Sequence, residues 1–120
     1  MNNQEIFDKV VTHLLTQNEQ SLKDGQCYYR TEEGLSCAVG CLIPDKLYNS
    51  DIEGIGLTPP YASLINGLGP VLKEAGIGKD SYVLLDRLQE LHDCNEPSTW
   101  MVKILRIARQ FNLEYKGLSQ

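Results

Sequence analysis

No apolar run in this sequence approaches the roughly 20 residues that a membrane-spanning helix requires, which excludes an α-helical membrane protein. Cysteine is sparse, at 4 in 120 residues, too few for a scaffold built on disulfides. The segment Met1-Asn2-Asn3-Gln4-Glu5 lacks the basic stretch, the apolar stretch and the small-residue cleavage site of a secretory signal. Reduced thiols and a cytoplasmic location are therefore expected. Basic charge is also scarce: 11 Lys and Arg stand against 16 Asp and Glu, for a net charge of −5. That balance argues against non-specific nucleic-acid binding, which needs cations to neutralise phosphates and release counterions. Repeats, low-complexity tracts and long linkers are missing too, so one domain over residues 1–120 is the expectation.

The charge that is present is unevenly placed. Residues 1–96 hold 7 Lys/Arg and 15 Asp/Glu, a balance of −8, whereas residues 97–120 hold 4 and 1, a balance of +3. The plainest reading is a basic terminal helix packed beside acidic neighbours of its own fold.

Hydrophobic spacing predicts most of the elements. Ile6, Phe7, Val10, Val11, Leu14 and Leu15 recur in pairs every four residues, the signature of a helix from about residue 4 to residue 21. Asp24-Gly25 is a turn, and Gln26 to Arg30 suits a strand. Gly34 can take the positive φ that closes a three-residue hairpin loop after Thr31. In that hairpin Cys27, Tyr29, Leu35, Cys37 and Val39 share an apolar face, and Tyr28, Arg30, Ser36 and Ala38 share the other. Gly40 permits a sharp change of direction, Pro44 opens a short helix, and Asn49 to Gly56 reads as a loop. Thr58-Pro59-Pro60 starts a further helix with Tyr61, Leu64 and Ile65 inward, and another short one ends near Gly76. Asp80 or Ser81 caps a helix with the stripe Leu84, Leu85, Leu88 and Leu91. Pro97 opens the last helix, with Trp100, Met101, Ile104, Leu105, Ala108 and Phe111 as its inner face. The fold class expected is α+β: a mostly helical single domain in which one small β-hairpin packs on about five helices.

Cys27, Cys37, Cys41, His92 and Cys94 include ligands that zinc prefers, but only Cys37/Cys41 and His92/Cys94 approach ligand spacing, and neither pair forms a glycine-bounded knuckle. No metal and no cofactor are expected, and the cysteines read as core. His13 and His92 sit at the edges of helical stripes, as structural histidines do, so no cysteine-histidine nucleophile is assigned. Gly76-Ile77-Gly78-Lys79-Asp80 lacks the earlier glycine of a phosphate loop and has Asp80 where Ser or Thr would stand. Pro59-Pro60-Tyr61 omits one residue of a Pro-Pro-x-Tyr motif. The polar residues hardest to explain as scaffold are Tyr28, Arg30, Glu53, His92 and Asp93. Arg30 among tyrosines can bind a phosphate or carboxylate bidentately, Tyr28 can stack, and Glu53 and the His92-Asp93 pair can orient a ligand by hydrogen bonds.

Cys27-Tyr28-Tyr29-Arg30, then Gly34-Leu35-Ser36-Cys37-Ala38-Val39-Gly40-Cys41-Leu42-Ile43-Pro44, then Tyr48 and Glu53-Gly54 resemble a group of small uncharacterised proteins of bacteria and their phages. Leu88-Gln89-Glu90-Leu91-His92-Asp93 looks like that group too. The resemblance carries no known activity; its phage association implies the blocking of a host or defence machine. The function expected is that of a small acidic interaction protein with a macromolecular protein partner and no membrane or non-specific nucleic-acid contact. The competing class is a protein or enzyme binding a small anionic or nucleotide-like ligand through Arg30, Glu53 and His92.

Overall fold

The computed structural model describes residues 1–23, 26–31, 34–48 and 68–115. The first helix, α1, spans Asn3–Gln17 and begins in a capping box: Asn2 Oδ1 accepts the Glu5 N–H at 2.8 Å, and Glu5 Oε1 accepts the Asn2 N–H at 2.9 Å. It stops short of the expected residue 21 because Asn18 turns left-handed at φ 51 and returns its N–H to the Leu14 carbonyl. Ile6, Phe7, Val10, Val11 and Leu14 are buried, the face that their spacing predicts.

After α1 the chain forms a ribbon of two two-residue strands, β1 (Leu22–Lys23) and β2 (Gln26–Cys27), with Leu22 opposite Cys27 and Lys23 opposite Gln26. This overturns the α+β expectation and its hairpin. The loop itself closes as read, with Gly34 at φ 90 and the Thr31 N–H on the Leu35 carbonyl at 2.9 Å. Among the described residues the pairing is confined to the bridge Arg30–Ser36 and a bond from the Cys37 N–H to the Tyr29 carbonyl, and no named strand forms on this loop. Both flanks are committed elsewhere. Cys27 pairs with Leu22, outside the expected hairpin, and the Tyr28 N–H goes to the Ser21 carbonyl at 2.9 Å. On the other side Cys41 N–H bonds the Cys37 carbonyl, and Gly40–Leu42 coils into a 3₁₀ turn, so Ala38 and Val39 enter the core together. The architecture is helical.

Gly40 is required by close approach. A Cβ there would lie 1.9 Å from the Tyr29 carbonyl oxygen. Pro44 leads into a second 3₁₀ turn, Asp45–Leu47. The helix expected from Thr58, with Tyr61, Leu64 and Ile65, lies outside the described residues, as does the loop Asn49 to Gly56.

Helix α2 spans Leu68–Glu74 and yields at Gly76, φ 88, to a 3₁₀ turn Lys79–Ser81. Helix α3 covers Tyr82–Cys94, with Ser81 at its N-cap; the Ser81 hydroxyl does not cap but donates to Asn3 Oδ1 at 2.7 Å. Leu84, Leu85, Leu88 and Leu91 are all buried. Pro97–Thr99 forms a last 3₁₀ turn before α4, Trp100–Gln110. Helix α4 packs on α3, and α1 packs against α3 and the Gly40–Leu42 turn, so the core is enclosed mainly by these pieces.

The inner face of α4 differs from expectation. Trp100, Ile104, Ile107 and Ala108 are buried and Phe111 is partly so, but Met101 and Leu105 point outward. Apolar residues run nearly around this helix, and the four-residue pair Met101/Leu105 lies beside the stripe centred on Ile104.

Candidate functional site

The expected site residues enter two bonding networks. In the first, His92 is fully buried. Its Nε2 accepts the buried Ser21 N–H at 2.9 Å, and its Nδ1–H donates to Asp93 Oδ1 at 2.7 Å; these partners assign the neutral Nδ1–H tautomer. The Gln20 side chain donates to the His92 carbonyl at 2.9 Å, and the imidazole packs near Trp100 with ring centroids 5.8 Å apart. The Ser21 hydroxyl donates to the Tyr28 carbonyl at 2.7 Å, so Tyr28, His92 and Asp93 meet through Ser21. Both ring nitrogens of His92 serve the fold. Asp93 is exposed and also accepts from Gln89 at 2.8 Å.

In the second network, Arg30 donates to Asp45 Oδ1 at 2.7 Å and to the Ile43 carbonyl, and its guanidinium lies 4.9 Å from the Tyr48 ring centre. It lines an open cleft of about 610 Å³ together with His13, Ser36, Cys41, Ile43 and Asp45. Helix α1 fixes one wall: Gln17 brackets Ser36 through its N–H at 3.0 Å and its carbonyl at 2.9 Å, and His13 Nε2–H donates to the same carbonyl at 2.9 Å. Asp45, Tyr48 and His13 were not singled out from sequence as partners of Arg30. Glu53 lies outside the described residues.

The thiols that are described are ill suited to nucleophilic chemistry. Burial pushes the Cys41 thiol up to about 12 against the pull of Lys9, and it donates to the Ala38 carbonyl at 3.1 Å. Burial drives Cys37 higher still. Both are protonated at neutral pH. Among the described residues no group of three His, Cys, Asp or Glu side chains could hold a metal ion, and no helix is long and apolar enough to cross a membrane. The side chains of Cys27 and Cys94 lie outside the described set.

A third feature is the outer face of α4, where Met101 is 38%, Val102 55% and Leu105 49% exposed. Val102 and Leu105 are three residues apart, and Arg106 and Arg109 follow them by four, so aliphatic and guanidinium groups adjoin on one exposed face. The sequence signal for it was an excess of apolar residues over what one helical stripe can bury.

No protein-family model, no curated protein and no solved structure matches the chain.

Proposed function

We propose that the protein is a small acidic interaction protein that binds a protein partner through the outer face of α4. The observation that carries this is the exposed strip Met101, Val102 and Leu105 bordered by Arg106 and Arg109. Exposed aliphatics in a contiguous strip gain from burial against another apolar surface, at about 25 cal/mol per Å² of apolar area removed from water. The arginines add charge selection. The partner's surface is therefore an apolar groove edged by carboxylates, in the manner of a helix laid into a groove. A second copy fits poorly: a two-fold contact through this face would set Arg106 and Arg109 against their own counterparts. Phosphate-rich nucleic acid fits poorly as well, because aliphatic side chains contribute nothing to phosphate contact and the chain carries −5.

The finer reading is a phage-encoded inhibitor of a host or defence machine, acting in the host cytoplasm. It rests on the resemblance of the Cys27 to Glu53 segments to small proteins of bacteria and phages, together with this docking face.

The test uses three baits of the full chain against a bacterial lysate: the parent, Val102→Ser/Leu105→Ser and Arg106→Glu/Arg109→Glu. The expected result is one stoichiometric protein held by the parent and lost from both variants, at unchanged melting temperature. Equal retention by all three baits, recovery of nucleic acid, or self-association of the bait alone would overturn the proposal.

A further inference from the structure

We infer that the cleft between α1 and the Gly34 loop binds a small neutral polyhydroxy compound, of the sugar class, through polar groups that the fold leaves unspent, while Arg30 keeps its own partners. Small-ligand sites usually occupy roughly 300–1,000 Å³, and this cleft holds about 610 Å³. Its wall offers hydrogen-bonding capacity of both kinds. The Ser36 hydroxyl has no partner among the described residues, although α1 fixes both backbone groups of Ser36 at 2.9 to 3.0 Å. The Thr31 hydroxyl accepts the Leu35 N–H at 3.1 Å and keeps its own proton to donate. With Nε2–H committed to the Ser36 carbonyl, His13 Nδ1 is an acceptor that calls for a donor. Asp45 spends one carboxylate oxygen on Arg30, and the other, on a side chain 98% exposed at the mouth, has no partner among the described residues.

Charge selects against ions of either sign. An anion finds its obvious partner engaged, because Arg30 is held by Asp45, the Ile43 carbonyl and the Tyr48 ring, and the chain carries −5. An ammonium ion meets that same guanidinium in the wall. A hydroxyl both donates and accepts. Neighbouring hydroxyls of one ligand therefore donate to His13 Nδ1 and the Asp45 oxygen and accept from Ser36 and Thr31, replacing solvent without displacing a bond of the fold. The three pieces that carry these groups are already in place: Gln17 brackets Ser36 from α1, the Thr31 N–H closes the loop on the Leu35 carbonyl, and Arg30 ties Asp45 to the same wall. A site assembled before the ligand arrives has little ordering cost left at binding.

D-Glucose and D-ribose are the probes, titrated separately into the full chain while the amides of Thr31, Ser36 and Asp45 are followed by NMR. Tetrahydropyran, a ring of the same kind without hydroxyls, is the control. The expected result is saturable shifts at these amides with at least one sugar and none with tetrahydropyran. Ser36→Ala removes a hydroxyl that the fold does not use, so it weakens binding about two- to ten-fold at unchanged melting temperature, as the loss of one neutral hydrogen bond does. Asp45→Ala removes a charged acceptor and weakens binding about ten-fold or more. Ser98→Ala, which removes an exposed hydroxyl ahead of α4, leaves the affinity unchanged. The site would be overturned by the absence of saturation with either sugar, by equal saturation with tetrahydropyran, or by parental affinity in both Ser36→Ala and Asp45→Ala. None of these outcomes depends on the docking face of α4.

Discussion

The His92 imidazole accepts the Ser21 backbone N–H at 2.9 Å and so fastens the segment after α1 to the end of α3. Ser21 in turn holds Tyr28 at both its N–H and its carbonyl. One side chain thereby organises the ribbon that precedes Arg30. A polar group with no exposure is tolerable here because each nitrogen has a partner of the right kind.

His92→Ala strands the buried Ser21 N–H, which costs about 1–3 kcal/mol, and removes packing on Trp100 as well. Asp93→Ala takes the acceptor from the His92 Nδ1–H and from Gln89 but keeps the ring, its bond to the Ser21 N–H and its packing on Trp100, and so lowers the melting temperature less. Thermal unfolding of the two variants tests this ordering; a His92→Ala protein that melts with the parent would show that the ring fastens nothing.

Gly40→Ala places a Cβ 1.9 Å from the Tyr29 oxygen and 2.7 Å from its carbonyl carbon, both backbone atoms with no rotamer to move aside. Its cost should exceed about 3 kcal/mol, the upper end for ordinary overpacking. Gly34→Ala meets no atom within 4 Å and bears only the strain of φ 90, about 1–2 kcal/mol. Denaturant titration of both variants reads the difference, and equal losses would refute the close-approach account.

Helices α1 and α3 are legible because burial obeys periodicity. The leucine stripe of α3 and the apolar pairs of α1 face inward as their spacing requires. The hairpin was misread for a physical reason: alternation of apolar residues around Gly34 is compatible with a ladder, but nothing in it shows that Ser21 and Leu22 compete for the same backbone groups. The site residues divide likewise. Arg30 was recognisable as a residue able to bind an anion, yet its partners Asp45 and Tyr48 reach it only through the turn after Pro44. His92 resembled a ligand-orienting group because a sequence does not show which nitrogens the fold already uses.

The thiols of buried Cys37 and partly buried Cys41 predict a stability loss at alkaline pH. Cys41 ionises near 9.0 when unfolded and near 12 in the fold, so the unfolded chain binds fewer protons between those values. Its contribution is fully present below pH 9 and declines as pH rises toward 12; Cys37 acts in the same direction. Unfolding midpoints should fall over that window, less steeply in Cys41→Ala relative to its own midpoint at pH 7. An identical slope in parent and variant would remove Cys41 as a cause.

Leu88 and Leu105 are the same residue type in two neighbouring helices, and they should respond in opposite ways to truncation. Leu88 has no exposure and lies within the α3 stripe, so Leu88→Ala leaves a cavity costing about 2–5 kcal/mol of a total that is typically about 5–15 kcal/mol. Leu105 is 49% exposed on a helix whose opposite face is buried, so Leu105→Ala opens no cavity and introduces a stronger helix former. Its effect on stability should lie within about 0.5 kcal/mol. Chemical denaturation of both variants at one protein concentration supplies the measurement. If Leu105→Ala loses as much stability as Leu88→Ala, the outer face of α4 is covered within the folded chain and cannot dock a partner. A neutral Leu105→Ala that also loses the captured protein would assign Leu105 to binding rather than to folding.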